Sequence, residues 1–330
     1  MAAGDITELL QRAVARHLGA PGTILDLQRL TGGANKTTWS FDAEIADRRG
    51  ELIVQLGTET VDPVADLTPY VTPEDDARLM IAAVKSGVPA PKVRAILEPS
   101  DGLGHGYITE RVAGETLGTR ILRDELFAAV RTQMAAQCGA ILAAIHRIEI
   151  TAVPFLMRQD AAAQVDAHRR IIDHFGLRLP ALELALKWAA DNVPARARHT
   201  VVHGDFRLGN FIVGADGIRC VLDWELAQTG DPMQDLGWLC VKTWRFGGRA
   251  PVGGFGSREE LFAAYERASG WPVDPAHVRF WEAFGNVKWA VDCLRLAARG
   301  IEENGIERCA IGRRIEEPLW DFLNLVEQRE

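Results

Sequence analysis

The stretch VVHGDFRLGNFIVGADGIRCVLDWE, residues 201–225, constrains the fold more than any other part of the chain. Short apolar runs interrupted by HGDFRLGN and by the turn Ala215-Asp216-Gly217 read as strand, polar loop, strand, turn, strand, closing on a carboxylate at Asp223. Folding back in this way carries Asp205, Asn210 and Asp223 toward one end of a small β-island, although the first and last lie 18 positions apart.

This island interrupts a long helical region. Apolar periodicity predicts helices over 124–147, 157–174, 180–191, 232–243, 257–268, 275–298 and 306–328, with the Gly-rich segment 247–257 as a loop. The N-terminal third reads differently. After an amphipathic helix at 5–18, alternation predicts strands TILDLQRL, KTTWSFDAEI and ELIVQL, then a helix at 73–86 and strands KVRAIL and HGYITE. The expectation is an α+β, bilobal chain: a small five-stranded antiparallel lobe (residues 1–111) followed by a larger, mainly helical lobe (112–330) bearing a β-hairpin island. Gly114 and Gly118 fall near the join.

A chain of 330 residues can bury an interior in each of two lobes. Its net charge of −8 opposes a role built on neutralising nucleic-acid phosphates. The five cysteines show neither a CxxC pair nor zinc-ligand spacing, so reduced, buried thiols are expected. No uninterrupted apolar run reaches the length of a membrane span, and the N-terminus lacks a signal-peptide pattern. A cytoplasmic monomer or homodimer, binding no membrane, is the resulting expectation.

Phosphoryl transfer needs a carboxylate to receive a hydroxyl proton, oxygen ligands for Mg2+, and a frame that holds them in line. Asp205 suits the first role, and Asn210 with Asp223 the second, because Mg2+ prefers oxygen ligands. His203 would order the loop by hydrogen bonding. Singly, each residue has an ordinary explanation as a turn former or cap; together they argue for a site. The HGDFRLGN segment and the following VLDWE resemble the H-G-D-x-x-x-x-N and D-x-E motifs of the aminoglycoside phosphotransferase-like and choline-kinase-like family, of protein-kinase-like fold. With VLDWELAQTGDPMQDLGWLC and WRFGGRAPVGGFGSREELFAAYERASG, the resemblance runs over essentially the whole chain and is strongest to the phosphotransferase domain fused to some acyl-CoA dehydrogenases.

The resemblance implies transfer of a γ-phosphate from Mg2+-bound ATP or GTP to a hydroxyl of a small molecule. Asp205 then takes the place of the catalytic base, Asn210 and Asp223 those of the metal ligands, and Glu225 supports the metal shell. Arg207 steadies the loop, meets a phosphate, or is a solvated surface arginine. Gly32, Gly33, Ala34 and Asn35, in LTGGANKTTW, fall in the phosphate-covering loop, and Glu110 and Val112 in the hinge that meets the base. One position departs from the family. Where the third strand usually carries Lys or Arg paired with a helix acid, this chain has Gln55, with Asp76 or Glu74 on the helix. A neutral amide cannot neutralise phosphate. Lys36 or another basic side chain could compensate; otherwise nucleotide binding is weak or altered, or the protein is a catalytically silent nucleotide- or metabolite-binding module, and the intact Asp205, Asn210 and Asp223 favour altered but real catalysis. A metal-dependent phosphohydrolase would leave the glycine loop unexplained.

Eight of nine tryptophans lie beyond residue 180, which reads first as core. Basic residues, among them Arg245, Arg258, Lys288 and Arg295, recur there despite the acidic whole. If they converge, the acceptor carries phosphate or carboxylate, as a hydroxyacyl-CoA would, and a cationic aminoglycoside is disfavoured. His146, at a helix end, reads as a satisfied structural histidine.

Overall fold

A computed structural model describes residues 3–19, 22–30, 36–45, 48–57, 64–176, 178–195, 198–302 and 306–327. After helix α1 (Ala3–Leu18), strands β1 (Gly22–Leu30), β2 (Lys36–Ile45), β3 (Arg48–Gly57), β4 (Val93–Ile96) and β5 (Gly106–Glu110) form the expected five-stranded sheet, in the order β1-β2-β3-β5-β4. Every pairing is antiparallel. Because side chains alternate across a strand, the sheet has two distinct faces. Phe41, Ala43, Leu52, Val54, Leu56 and Ile108 bury one face against Ile6, Leu10, Ala13 and Val14 of α1. Cross-strand register puts Lys36, Thr38, Gln55 and Tyr107 on the other.

Helix α2 (Pro73–Lys85) covers that second face. Thr72 caps its N-terminus by accepting from the amide of Asp75, with Pro73 at the first helical position. Its buried residues Ala77, Leu79, Met80 and Ala83 join the larger core that runs through the rest of the chain.

That larger half holds α3 (Gly118–Arg123), α4 (Ala128–Ile145), α5 (Ala161–His174), α6 (Pro180–Asp191), α7 (Met233–Cys240), α8 (Arg258–Ser269), α9 (Pro275–Glu302), α10 (Ile306–Ile311) and α11 (Glu316–Glu327). Glu125–Ile145 is long and apolar enough by composition to cross a bilayer, yet half of it is buried in the protein as a core helix. It approaches α8 closely at Gly139, where a Cβ would stand 2.5 Å from the Leu261 carbonyl oxygen. Four cysteines are buried and Cys309 is half-buried, all unbridged.

Several elements differ from the sequence expectation. A short helix, α3, follows the predicted join directly, beginning at Gly118. Helix α5 begins at Ala161 rather than 157, because Asp160 caps it and Arg158 bridges to Thr229. The expected C-terminal helix is broken by a 3-10 turn at Gly312–Ile315. The β-island is two ladders rather than a continuous meander: β7 (Phe211–Gly214) pairs with β8 (Gly217–Val221), while β6 (Thr200–Val202) pairs with β9 (Gln228–Gly230). Strand β9 has a polar, glycine-ended sequence with no apolar alternation to announce it.

Candidate functional site

The loop between β6 and β7 carries His203, Asp205, Arg207 and Asn210, and one buried carboxylate fixes its start. Asp235, in the wholly buried α7, accepts from the amides of His203 (2.8 Å) and Gly204 (2.9 Å), and is 3.1 Å from His146 Nε2. His146 Nδ1 in turn lies 2.9 Å from the Tyr265 hydroxyl. Burial alone would push the Asp235 carboxyl up, but the His146 contact and the donors around it hold it below the ordinary carboxylate range. Gly204 is required on two counts: its φ is +80°, and a Cβ would lie 2.2 Å from the Leu226 carbonyl oxygen.

His203 is fully buried against the Trp224 ring, at 4.5 Å between centroids. Its Nδ1 accepts from the Asp205 amide (3.2 Å) while Nε2 faces the Leu222 carbonyl oxygen (3.1 Å). One nitrogen accepts and the other donates, which is the neutral imidazole. Burial lowers its pKa in the same sense. The ring therefore ties the loop to the end of β8, one residue before Asp223.

The Asp205 carboxylate takes three N–H donors. Oδ1 accepts from Arg207 Nε (2.9 Å) and Trp238 Nε1 (2.8 Å), and Oδ2 from Asn210 Nδ2 (2.7 Å). Since Asn210 uses its amide nitrogen here, its carbonyl oxygen stays available as a ligand. Two cations border the same loop. The Arg207 guanidinium lies 4.4 Å over Trp244, and Lys288 Nζ lies 4.5 Å over Trp238 while donating to the Gly204 carbonyl oxygen (2.8 Å).

Across the cleft stands Lys36. Its Nζ is 2.7 Å from Asp76 Oδ2, 3.5 Å from Glu225 and 3.7 Å from Asp223. Burial opposes its charge, but the surrounding acids outweigh burial and hold its pKa well above the usual lysine value. Asp223 adopts φ +65° and keeps 41% of its side chain exposed, and partial desolvation by the surrounding protein, with Glu225 beside it, pushes its pKa up to about 7. The Tyr107 hydroxyl gives its one proton to Asp76 Oδ2 (2.8 Å) and lies against Gln55 Oε1, and Gln55 Nε2 reaches Thr38 Oγ1 at 3.4 Å.

His203, Asp205, Arg207, Asn210, Asp223, Glu225, Gln55 and Asp76 are thus brought into one region, around the β6–β7 loop and Lys36. Glu74 instead meets His105. Gly32, Gly33, Ala34 and Asn35 lie outside the described residues. The Glu110 carboxylate pairs with Arg94 (3.0 Å), and the Glu110 and Arg111 amides donate to the Lys92 and Glu51 carbonyl oxygens. Val112 follows them directly. Arg245 and Arg258 do not converge on the loop, because both bind the buried Glu282. Sequence reasoning assigned no role to Asp235 or Tyr107, and read Trp238 as core only. Asp235 carried a clue, a carboxylate inside MQDLGWLC, a helix with no polar face.

Oxygen donors from Asn210, Asp223 and Glu225 suit Mg2+, which needs only one or two protein carboxylates beside phosphate and water. Among the described residues, no group of three or more His, Cys, Asp or Glu could hold an ion alone.

A two-lobed chain whose cleft is lined in this way has the architecture of a protein-kinase-like phosphotransferase. Residues 26–281 match the phosphotransferase enzyme family, and the chain belongs to that family. Acyl-CoA dehydrogenase family member 10 of Mus musculus is 30% identical over 185 residues, which are 51% of this chain but 16% of that relative. A Ralstonia eutropha protein placed among the aminoglycoside phosphotransferases superposes with a TM-score of 0.73 at 21% identity, covering 98% of this chain and 99% of that one. The streptomycin–ATP complex of APH(2")-IIa gives 0.58 at 15% identity, with 96% and 98% covered. At such identities the two structures establish the shared fold.

Proposed function

We propose that the protein transfers the γ-phosphoryl group of Mg2+-bound ATP, or GTP, to a hydroxyl of a small anionic acceptor such as a hydroxyacyl-CoA. The observation that carries this reading is the Asp205 carboxylate, oriented by three donors beside Asn210 and opposite a cation–carboxylate cluster. Mg2+, when bound, would neutralise charge on the transferring phosphoryl group.

In this reading Asp205 accepts the proton of the acceptor hydroxyl. Asn210 and Asp223 hold the metal, with Glu225 supporting. Neutral His203 keeps the loop and the end of β8 in register without adding charge. With the Glu110 and Arg111 amides committed to the sheet, Val112 is the first hinge residue left to meet a purine. Arg207 and Lys288, each stacked on a tryptophan beside the base, favour an acceptor that carries carboxylate or phosphate over a polycation.

Asp205→Asn tests the assignment, since it removes the proton acceptor and keeps the shape. Transfer to a responsive acceptor should fall by about 10²- to 10⁴-fold, while calorimetry still detects nucleotide. Retained turnover would remove Asp205 from the base role. A silent binding module, the reading that Gln55 favours, would bind nucleotide yet release no ADP with any hydroxylated acid or acyl thioester.

A further inference from the structure

We infer that Lys36, on β2, is the residue that holds the phosphates of the nucleotide, with Asp76 of α2 as its partner, so that the cation missing from β3 enters from the neighbouring strand. The inference rests on the nucleotide reading above and deepens it.

The sheet register makes the exchange geometrically simple. Thr38 pairs with Gln55 and Lys36 with Gly57, so Lys36 and Gln55 are diagonal neighbours on one face. Such positions are about 7–8 Å apart, a gap that a long side chain spans. The cross-strand partner Gly57 has no side chain to crowd the lysine stem. Gln55 itself is engaged with Tyr107 and Thr38 and carries no charge. Lys36 is buried, with its side chain 7% exposed, and its Nζ stands among the carboxylates of Asp76 (2.7 Å), Glu225 (3.5 Å) and Asp223 (3.7 Å).

Two further observations separate a phosphate-holding role from a simple counter-ion role. Lys36 Nζ lies 3.7 Å from Asp223, a residue placed to hold the metal, so the ammonium stands where a metal-bound phosphate would come. It also directly follows the segment carrying Gly32 and Gly33. Asp76 supplies the helix acid: it is 1% exposed and receives both Lys36 and Tyr107 on Oδ2, which fixes the lysine's direction.

The test is calorimetric titration of the full chain with Mg-ADP, alongside thermal melting. Lys36→Met keeps the length of the stem and removes the charge; its Kd should rise about 10- to 100-fold, the range of a lost charge-assisted hydrogen bond. Lys36→Met/Gln55→Lys, which returns the cation to β3, should recover affinity to within about fivefold of wild type. A role confined to neutralising Asp76 would lower the melting temperature and leave Kd unmoved. Unchanged Kd in Lys36→Met, or no rescue by the double variant, overturns the inference alone, whereas a wild-type chain that binds no nucleotide overturns the nucleotide reading with it. Should Lys36→Met fail to fold, Lys36→Gln, whose amide can still bond Asp76, carries the same expectation and the same refutation.

Discussion

The two walls of the cleft are built on opposite principles. On the side of the β-island, the loop between β6 and β7 is over-determined: Asp205 has three donors, His203 is bonded through both ring nitrogens, and the loop start is clamped by Asp235. On the side of the five-stranded sheet, the charge of Lys36 sits at the end of a long unbranched stem and meets several acids at once. In the proposed function the contrast follows from the chemistry each wall would serve. A base must sit within hydrogen-bond reach of one proton, so its frame cannot vary. A cation that neutralises phosphate acts as a point charge, and several backbone positions can deliver it to the same place.

The strongest challenge to this contrast is Asp235→Ala. Removing a fully buried carboxylate that holds two loop amides and His146 should cost about 3–5 kcal/mol in denaturant unfolding. A loss below 1 kcal/mol would mean that the island is not clamped as described. A smaller effect is expected of Lys288→Ala, which removes a cation from beside the base without touching the metal ligands. The acceptor KM should rise by about tenfold while nucleotide Kd is unchanged; an effect on nucleotide alone would move Lys288 to the other wall. Smallest is Gln55→Lys with Lys36 in place. A second cation gains little where one already neutralises the phosphates, so nucleotide Kd should shift by less than about threefold. A large gain would show that the sheet side lacks its cation.

The same contrast explains what could be read from sequence. Period-two alternation fixed the sheet, because one of its faces is fully buried against α1. Asp205, Asn210 and Asp223 were legible because each is a polar group at the end of an apolar run, where a rigid scaffold presents it. Strand β9 was not legible, since QTG is recruited into pairing by β6 and has no pattern of its own. Tertiary context also decided the side chains. Trp238 and Trp244 read as core, and they are buried, but one bonds the Asp205 carboxylate and the other carries Arg207. Arg245 and Arg258 were grouped with the cations of an acceptor site, but Glu282 claims both. Sequence gives the position of Gln55 along β3 but not its neighbours across the sheet, where the register sets Lys36 diagonal to it.

The Asp235 clamp has a consequence for how this protein would fail under heat. A single carboxylate joins the β6–β7 loop to α7 and, through His146 and Tyr265, to the α4–α8 contact. The loop has no loose attachment that could melt ahead of those helices. Inactivation and global denaturation should therefore coincide on a temperature ramp, with no window in which a folded but incompetent species accumulates.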